Sequence, residues 1–404
     1  MSRFTTILKA KAQLAALKVA VTVLPAPRPI VLLGADSAIK LCDTISHVGA
    51  KRVLVVTDAV LHKLGVIAPL SARLEQLGID TLVFTGVTPD PTFSVVDHGL
   101  AMLRSGRCDA VLAVGGGSSI DAAKVIALAA SNQKTPQQLI GVLKARKPSL
   151  PLFVVPSTAG TGSEVTIGAV ISDDVTHQKG IVIDPKVVPV ATALDPLIMK
   201  GMPRSITADT GIDALTHAVE AWMANFATTE SDYFAGAAVR MIFNQLPVSY
   251  ADGANLEARE AMALASHYGG LAISAAGLGY VHAIAHQLGA YYRIPHGRAN
   301  AIVLPYILDF NRDVSESRLA ALARISGLTD SSVQDGQAAD LFIAHVKQLL
   351  KDLNIDTRIP GMNPADFPAM VTAAFAECHG TYSVPKYMDA ADVTAILRAL
   401  QQAS

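Results

Sequence analysis

Cysteine is almost missing from this chain. Only Cys42, Cys108 and Cys378 occur in 404 residues, widely spaced and with no CxxC pair. A scaffold built on disulfides is thereby excluded, and a reducing compartment fits better. Charge is scarce as well, at 17% of residues, and nearly balanced at a formal net −1. That balance removes the electrostatic case for a nucleic acid or an anionic membrane as partner. No uninterrupted apolar run reaches about 18 residues, so no transmembrane helix is expected. What is abundant is apolar residue, 51% of the chain. With so few charges, this implies a large core, a subunit interface, or both. A length of 404 residues suggests two or three domains at roughly 100–200 residues each.

Acidic residues are missing before Asp36, while Arg3, Lys9, Lys11 and Lys18 lie among Ser, Thr, Ala and Leu. The pattern is that of an amphipathic transit peptide, yet Ile7, Leu14, Leu17 and Val21 also describe an ordinary surface helix. A secretory signal would need a continuous apolar stretch that is not there. The expectation is a cytoplasmic protein with an N-terminal extension over residues 1–27.

From about residue 29 to 200, short β-branched runs alternate with helix-like segments. Strands are expected at 29–34, 51–58, 81–85, 109–114 and 151–155, with helices at 61–77, 92–106 and 119–130. The strand runs are apolar without alternation, as in strands covered on both faces of a mainly parallel sheet. Strand–helix alternation indicates an open α/β domain. Beyond Pro203 the chain reads as Ala-rich helices to its end, with no convincing strand. The expected division is an α/β domain over 1–200 and an all-helical domain over 201–404.

Three of the eleven histidines, His282, His286 and His296, fall in one segment rich in Ala, Gly and Leu. Imidazoles in apolar sequence are costly to bury without partners, and a metal ion is a common partner. His282 and His286 are four apart and share a helix face; His296, between Pro295 and Gly297, reads as held at a turn. Hydrogen-bonded core histidines are the alternative. Upstream, Asp213 and His217 have the same i, i+4 spacing, and with His282 and His296 they make a one-carboxylate, three-imidazole set. Such O/N donors suit Fe(II), Zn(II) or Mn(II).

Two loops carry the signature of anion binding. Gly115-Gly116-Gly117-Ser118-Ser119-Ile120-Asp121 joins a buried strand to a helix, where glycines allow close approach and the helix N-terminus offers free N–H donors. It is not the GxGxxG of the usual Rossmann domain. Pro156-Ser157-Thr158-Ala159-Gly160-Thr161-Gly162-Ser163-Glu164 follows another strand and offers hydroxyls to a diphosphate, ribose or amide. Asp58, at the end of a strand, can accept from an adenosine ribose hydroxyl, or serve as a turn or cap residue.

GGGSSIDAAK, PSTAGTGSEVT, TGIDALTHAVEAW and GLGYVHAIAHQLGAYYRIPHGRANAIVLP together resemble the iron-containing (group III) alcohol dehydrogenase family, from about residue 28 to the end. The resemblance implies a Rossmann-like dinucleotide-binding domain of mainly parallel sheet and an all-α metal-binding domain, a dehydroquinate synthase-like architecture with the active site in a cleft between them. It implies metal ligands at Asp213, His217, His282 and His296, with Fe(2+) first and Zn(2+) or Mn(2+) as alternatives. His286 matches a further active-site histidine beside the nicotinamide, suited to relaying a proton. NAD contacts are implied at Asp58, Asp90, Gly116, Gly117, Ser118, Asp121, Ser157, Thr158, Thr161, Ser163, Lys179 and His286. The sequence departs from the family at Asp90, where many members carry Asn, and at Val384-Pro385-Lys386, where many carry Asn-Pro-Arg. The implied reaction interconverts primary alcohols and aldehydes by hydride transfer, in a homodimer acting on small molecules. Rivals are a polyol dehydrogenase, a hydroxyacid–oxoacid transhydrogenase and, from another class, a catalytically inactive NAD-binding scaffold.

Overall fold

The computed structural model describes residues 12–14, 27–176 and 178–401. The N-terminal extension and its targeting reading lie, apart from 12–14 and 27, outside the described residues. Two compact units emerge: one holds residues 27–202 and 253–267, the other 12–14, 203–252 and 268–401.

The first unit alternates strand and helix. Its elements are β1 (Ile30–Leu33), α1 (Ser37–Val48), β2 (Arg52–Asp58), α2 (Ala59–Lys63), α3 (Ala68–Gln76), β3 (Asp80–Val87), α4 (Phe93–Gly106), β4 (Ala110–Gly115) and α5 (Gly117–Asn132). Then come β5 (Gly141–Val142), β6 (Leu152–Pro156), β7 (Gly168–Ser172), β8 (Lys179–Ile183), β9 (Ala191–Leu194) and α6 (Pro196–Met199). Six strands form one parallel sheet in the order β1-β9-β6-β4-β2-β3. The period-2 geometry of a strand explains why its residues do not alternate in polarity. Leu54, Val56, Val111, Ala113, Leu152 and Val154 join the core under α4 and α5. Their neighbours Val53, Val55, Ala110, Leu112, Phe153 and Val155 join the opposite core with Leu41, Ile45, Leu70 and Leu74 of α1 and α3. Both faces are dry, so both must be apolar.

Two features were not expected from sequence. The helix expected over 61–77 is two helices, because Gly65 adopts a left-handed conformation (φ 78°) between them. A second sheet, β5-β8-β7, pairs β8 parallel to β5 and antiparallel to β7. Its strands of two to five residues (GV, GAVIS, KGIVI) are too short and glycine-rich for a periodic signal.

The second unit contains α7 (Arg204–Met223), α8 (Thr229–Ala251), the latter part of α9 (Leu256–Ala276), α10 (Tyr280–Tyr292), α11 (His296–Asn311), α12 (Glu316–Ile325), α13 (Asp335–Asp352), α14 (Phe367–Cys378) and α15 (Ala390–Gln401). No strand follows Leu194 among the described residues. Residues 253–267, placed by the sequence division in the helical half, group instead with the α/β unit. Arg259, almost fully buried, donates to the carbonyls of Gly253 at 3.1 Å and Met202 at 3.2 Å, and His267 Nδ1 lies 3.1 Å from Glu164 Oε1. Among the described residues no single helix is long and apolar enough to cross a membrane; α9 and α10 together pass by composition but are bent by 108°.

Candidate metal centre and cofactor loops

The metal-ligand candidates all belong to the helical unit. Asp213 and His217 stand one turn apart on α7, a helix so enclosed that both are buried. Its close neighbours require glycine. A Cβ on Gly211 would lie 2.3 Å from Leu246 Cδ1, and one on Gly297 would lie 2.6 Å from the carbonyl oxygen of Asp209. Gly297 thus lets the first turn of α11 rest on the backbone of α7, which brings His296 to the site. His296 is the first residue of that helix, where the sequence suggested a turn. His282, in the first turn of α10, completes the group.

One ligand atom from each of Asp213, His217, His282 and His296 lies within 4.8 Å of the others. His296 Nε2 is 3.6 Å and His282 Nε2 4.0 Å from Asp213 Oδ1. Nitrogen and oxygen donors bound about 2.0–2.2 Å from one cation need only small shifts from these separations. His286 is not part of the cluster.

The electrostatics favour a cation. Burial and the adjacent His217, whose ring stacks on His282 at 4.8 Å between centroids, hold His282 well below the usual imidazole range. It stays neutral, with a lone pair to offer. Burial opposes ionisation of Asp213, but His217, His296, His282 and the Asn300 amide together hold its carboxyl below the ordinary value. Asn300 Nδ2 lies 2.6 Å from Asp213 Oδ1, 3.1 Å from His282 Nε2 and 3.2 Å from His296 Nε2. An amide has two N–H groups for these three acceptors. Its own Oδ1 is buried without a partner. The donor set is therefore short of positive charge, and a divalent cation fits it.

Glu220, on α7 one turn beyond His217, lies behind His282. Its carboxylate accepts from Gly279 N at 2.9 Å and Val281 N at 2.7 Å, capping α10, and lies 2.6 Å from His282 Nδ1. A carboxylate there fixes the ring's tautomer, so Nε2 faces the other ligands. Burial pushes Glu220 up to about 7, against the pull of those backbone amides. His286 has its own carboxylate. Glu377 Oε1 on α14 lies 2.5 Å from His286 Nδ1, and the His286 ring stacks on His296 at 5.2 Å. Burial opposes ionisation of Glu377, but His286 and the Tyr382 hydroxyl hold its carboxyl below the usual value.

Glu220 had a signal: a carboxylate at i+3 from His217 on an apolar helix face. Asn300, four residues after His296 in the run Ala299-Asn300-Ala301-Ile302-Val303, had a weaker one. Glu377 had none, since its place beside His286 depends on packing between distant helices.

Apart from His286, the cofactor candidates lie in the α/β unit, mainly at the C-terminal ends of parallel strands β2, β4 and β6, where open α/β sheets bind ligands. Gly116 caps α5; Gly117 and Ser118 open its first turn. A Cβ on Gly117 would meet Thr161 Cγ2 at 2.8 Å, and one on Gly116 would touch Thr158 at 3.5 Å. Ser157 N donates to the Gly115 carbonyl at 2.9 Å. The glycine loop and the 157–163 loop are thus packed on each other. Asp121 holds them so: it accepts from Ser163 Oγ at 2.5 Å and Val170 N at 2.9 Å, which makes it a positioning group inside the protein. Lys124 is fully buried, and its ammonium donates to the carbonyls of Thr166 at 2.8 Å and Gly168 at 2.7 Å. Asp58 Oδ1 accepts from Val60 N and Leu61 N at 2.8 and 2.9 Å, the cap role that sequence left open. Asp90, at φ 53°, and Lys179 pair with each other at 3.1 Å. Lys386, at the second family departure, pairs with Asp313 at 3.0 Å and sits over the Phe310 ring.

Known proteins resemble this chain along most of its length. Residues 28–196 match the family described as iron-containing alcohol dehydrogenase, and residues 207–401 match the C-terminal part of the Fe-containing alcohol dehydrogenase family. The chain is 35% identical over 372 residues to an NAD-dependent methanol dehydrogenase from Bacillus methanolicus, covering 92% of this chain and 97% of that protein. It is 38% identical over 354 residues to a 1,3-propanediol dehydrogenase from Klebsiella pneumoniae, covering 87% and 91%. The crystal structure of a 1,3-propanediol oxidoreductase superposes with a TM-score of 0.89 at 35% identity, covering 94% of this chain and all (100%) of that one.

Proposed function

The chain belongs to the iron-containing alcohol dehydrogenase family, and from that premise we propose an NAD-dependent enzyme that uses Fe(2+) held by Asp213, His217, His282 and His296. It is an alcohol dehydrogenase, interconverting alcohols and aldehydes; the cofactor, metal and site assignments are the proposal. The observation that carries it is the convergence of one carboxylate and three imidazoles within 4.8 Å. Zn(2+) and Mn(2+) suit the same donors.

A bound divalent cation supplies Lewis acidity that lowers the pKa of an alcohol hydroxyl toward neutrality. Asp213 contributes the negative charge of the donor set, while His217, His282 and His296 contribute neutral nitrogens. Gly116, Gly117 and Ser118 at the α5 N-terminus, with Ser157, Thr158, Thr161 and Ser163, hold the dinucleotide diphosphate; Asp121 positions that second loop. Asp58 faces the adenosine ribose and favours NAD over NADP, and the Asp90–Lys179 pair flanks the cofactor. His286 takes up the hydroxyl proton. In sum, alcohol and NAD⁺ give aldehyde, NADH and one proton.

Short primary alcohols are the proposed substrates, with diols as a second reading supported by the similarity to 1,3-propanediol dehydrogenase. We further propose a cytoplasmic homodimer. Support comes from three buried free cysteines and from β1, an edge strand whose Ile30, Val31 and Leu33 are exposed. The test is metal analysis of anaerobically purified protein, coupled to NADH and NADPH formation across methanol, ethanol, propanol, 1,2- and 1,3-propanediol and 4-hydroxybutyrate. The expected result is about one divalent metal per chain and NAD-dependent oxidation of short primary alcohols. Metal-replete protein that binds NADH but oxidises none of them sinks the reading.

A further inference from the structure

His286 is gripped from two sides. One face of its ring stacks on His296, with centroids 5.2 Å apart and planes 25° apart. Its Nδ1 lies 2.5 Å from Glu377 Oε1. The same oxygen accepts from the Tyr382 hydroxyl at 2.6 Å, and Glu377 Oε2 is 3.4 Å from Gln287 Nε2. Glu377 and His286 side chains are only 18% and 12% exposed, so water competes little for this bond.

We propose that Glu377 is the positioning residue for proton transfer by His286. An ionised carboxylate only accepts hydrogen bonds, so the bond to Nδ1 requires the proton to sit on Nδ1. That leaves the Nε2 lone pair to receive the alcohol's hydroxyl proton. When Nε2 gains it, the ring carries a positive charge, and the carboxylate at Nδ1 stabilises that charge without giving up or taking a proton. The balance is complete: the O–H bond breaks, an Nε2–H bond forms, the carbon's hydride passes to the nicotinamide, and the imidazolium later returns one proton to solvent. Tyr382 and Gln287 hold the carboxylate in turn, so that the stacked ring is not the only restraint on His286.

This rests on the assignment of His286 as proton acceptor, and the test separates the two ideas. Metal-loaded wild type, His286→Ala, Glu377→Ala, Glu377→Gln and the double variant His286→Ala/Glu377→Ala are compared for kcat, KM, metal content and thermal midpoint. Removing an orienting partner of this kind lowers activity roughly 10–100-fold. The expected pattern is a fall of that order in kcat for Glu377→Ala, with KM and metal content near wild type. Glu377→Gln, which keeps an acceptor but loses the charge, falls between. The double variant is no slower than His286→Ala alone, because Glu377 acts only through that ring; a merely structural role would make the losses multiply. A second readout needs no turnover: ¹⁵N-histidine spectra should report the Nδ1–H tautomer at His286 in wild type and lose it in Glu377→Ala. If His286→Ala slows turnover and Glu377→Ala does not, or the two losses multiply, Glu377 has no such role. If His286→Ala leaves turnover intact, the histidine assignment fails, and the Glu377 proposal with it.

Discussion

Gly279 and Glu220 meet with no room for a side chain between them: a Cβ on Gly279 would lie 2.6 Å from Glu220 Oε1. That closeness lets the α10 backbone amides and His282 Nδ1 share a single carboxylate. Glu220 is therefore expected to govern how well the site retains its cation, although it touches none. Glu220→Gln keeps the shape and loses the charge; its metal affinity should fall roughly 10–100-fold, read by metal competition with a chromophoric chelator. Gly279→Ala should lower affinity in the same direction by pushing the carboxylate away. Unchanged affinity in both would remove Glu220 from the site.

Metal should also hold the helical unit together. Its proposed ligands come from α7, α10 and α11, and without a cation one Asn300 amide serves three acceptors. A ligand that binds only the folded state stabilises it by mass action, about 2.7 kcal/mol at a hundredfold excess over Kd. Chelation of wild type should lower the thermal midpoint, and metal should restore it. Asp213→Ala and His217→Ala should melt at one temperature with or without metal. A midpoint in those variants that still rises with metal would mean the cation sits elsewhere.

In the α/β unit, Gly117 has no room for a side chain where the two loops meet. Its missing Cβ would overlap the Thr161 side chain at 2.8 Å, so Gly117→Val must push the two loops apart. Overpacking of this kind costs about 1–3 kcal/mol. Transferred to binding, that is a loss of roughly ten- to a hundredfold in NADH affinity, measured by fluorescence titration, with metal content unchanged. Wild-type NADH affinity in Gly117→Val would show that these loops do not form the dinucleotide site.

How far the sequence reaches differs between the two units, for physical reasons. The sheet was legible because burial on both faces writes apolar runs such as Val53–Val56 and Val111–Val114 directly into the chain. The cluster of one carboxylate and three imidazoles was legible because Asp213 and His217 are one helical turn apart, and the motifs around His282 and His296 resemble a known family. The partners behind the ligands were not. Glu377 lies 91 residues from His286, and Glu164 lies 103 from His267; neither pair has a local spacing to betray it. For Asp121 and Asp58 the acceptor chemistry was legible but the protein partners were not: Asp121 accepts from Ser163 Oγ and Val170 N, while one oxygen of Asp58 accepts from Val60 N and Leu61 N.

Lys124 gives a prediction with a defined pH window. Its ammonium is fully buried against the carbonyls of Thr166 and Gly168, and burial lowers its pKa from 10.5 to about 8, with Asp121 and Glu164 limiting the fall. Below pH 8 the folded and unfolded chains both hold the proton, and the cost of the buried charge is constant. Between about 8 and 10.5 the unfolded chain binds a proton that the folded one has released, so this group makes stability rise with pH, by at most about 1.4 kcal/mol per unit. Lys124→Met removes that rise. It also strips two buried carbonyls of their donor, at about 1–3 kcal/mol each. Thermal melts of both proteins from pH 7 to 10 should show the variant less stable throughout. The gap between them should widen above pH 8, since only wild type gains from releasing the proton. A constant gap across that range would mean that Lys124 keeps its charge in the folded state, held by Asp121 and Glu164 more strongly than burial opposes it.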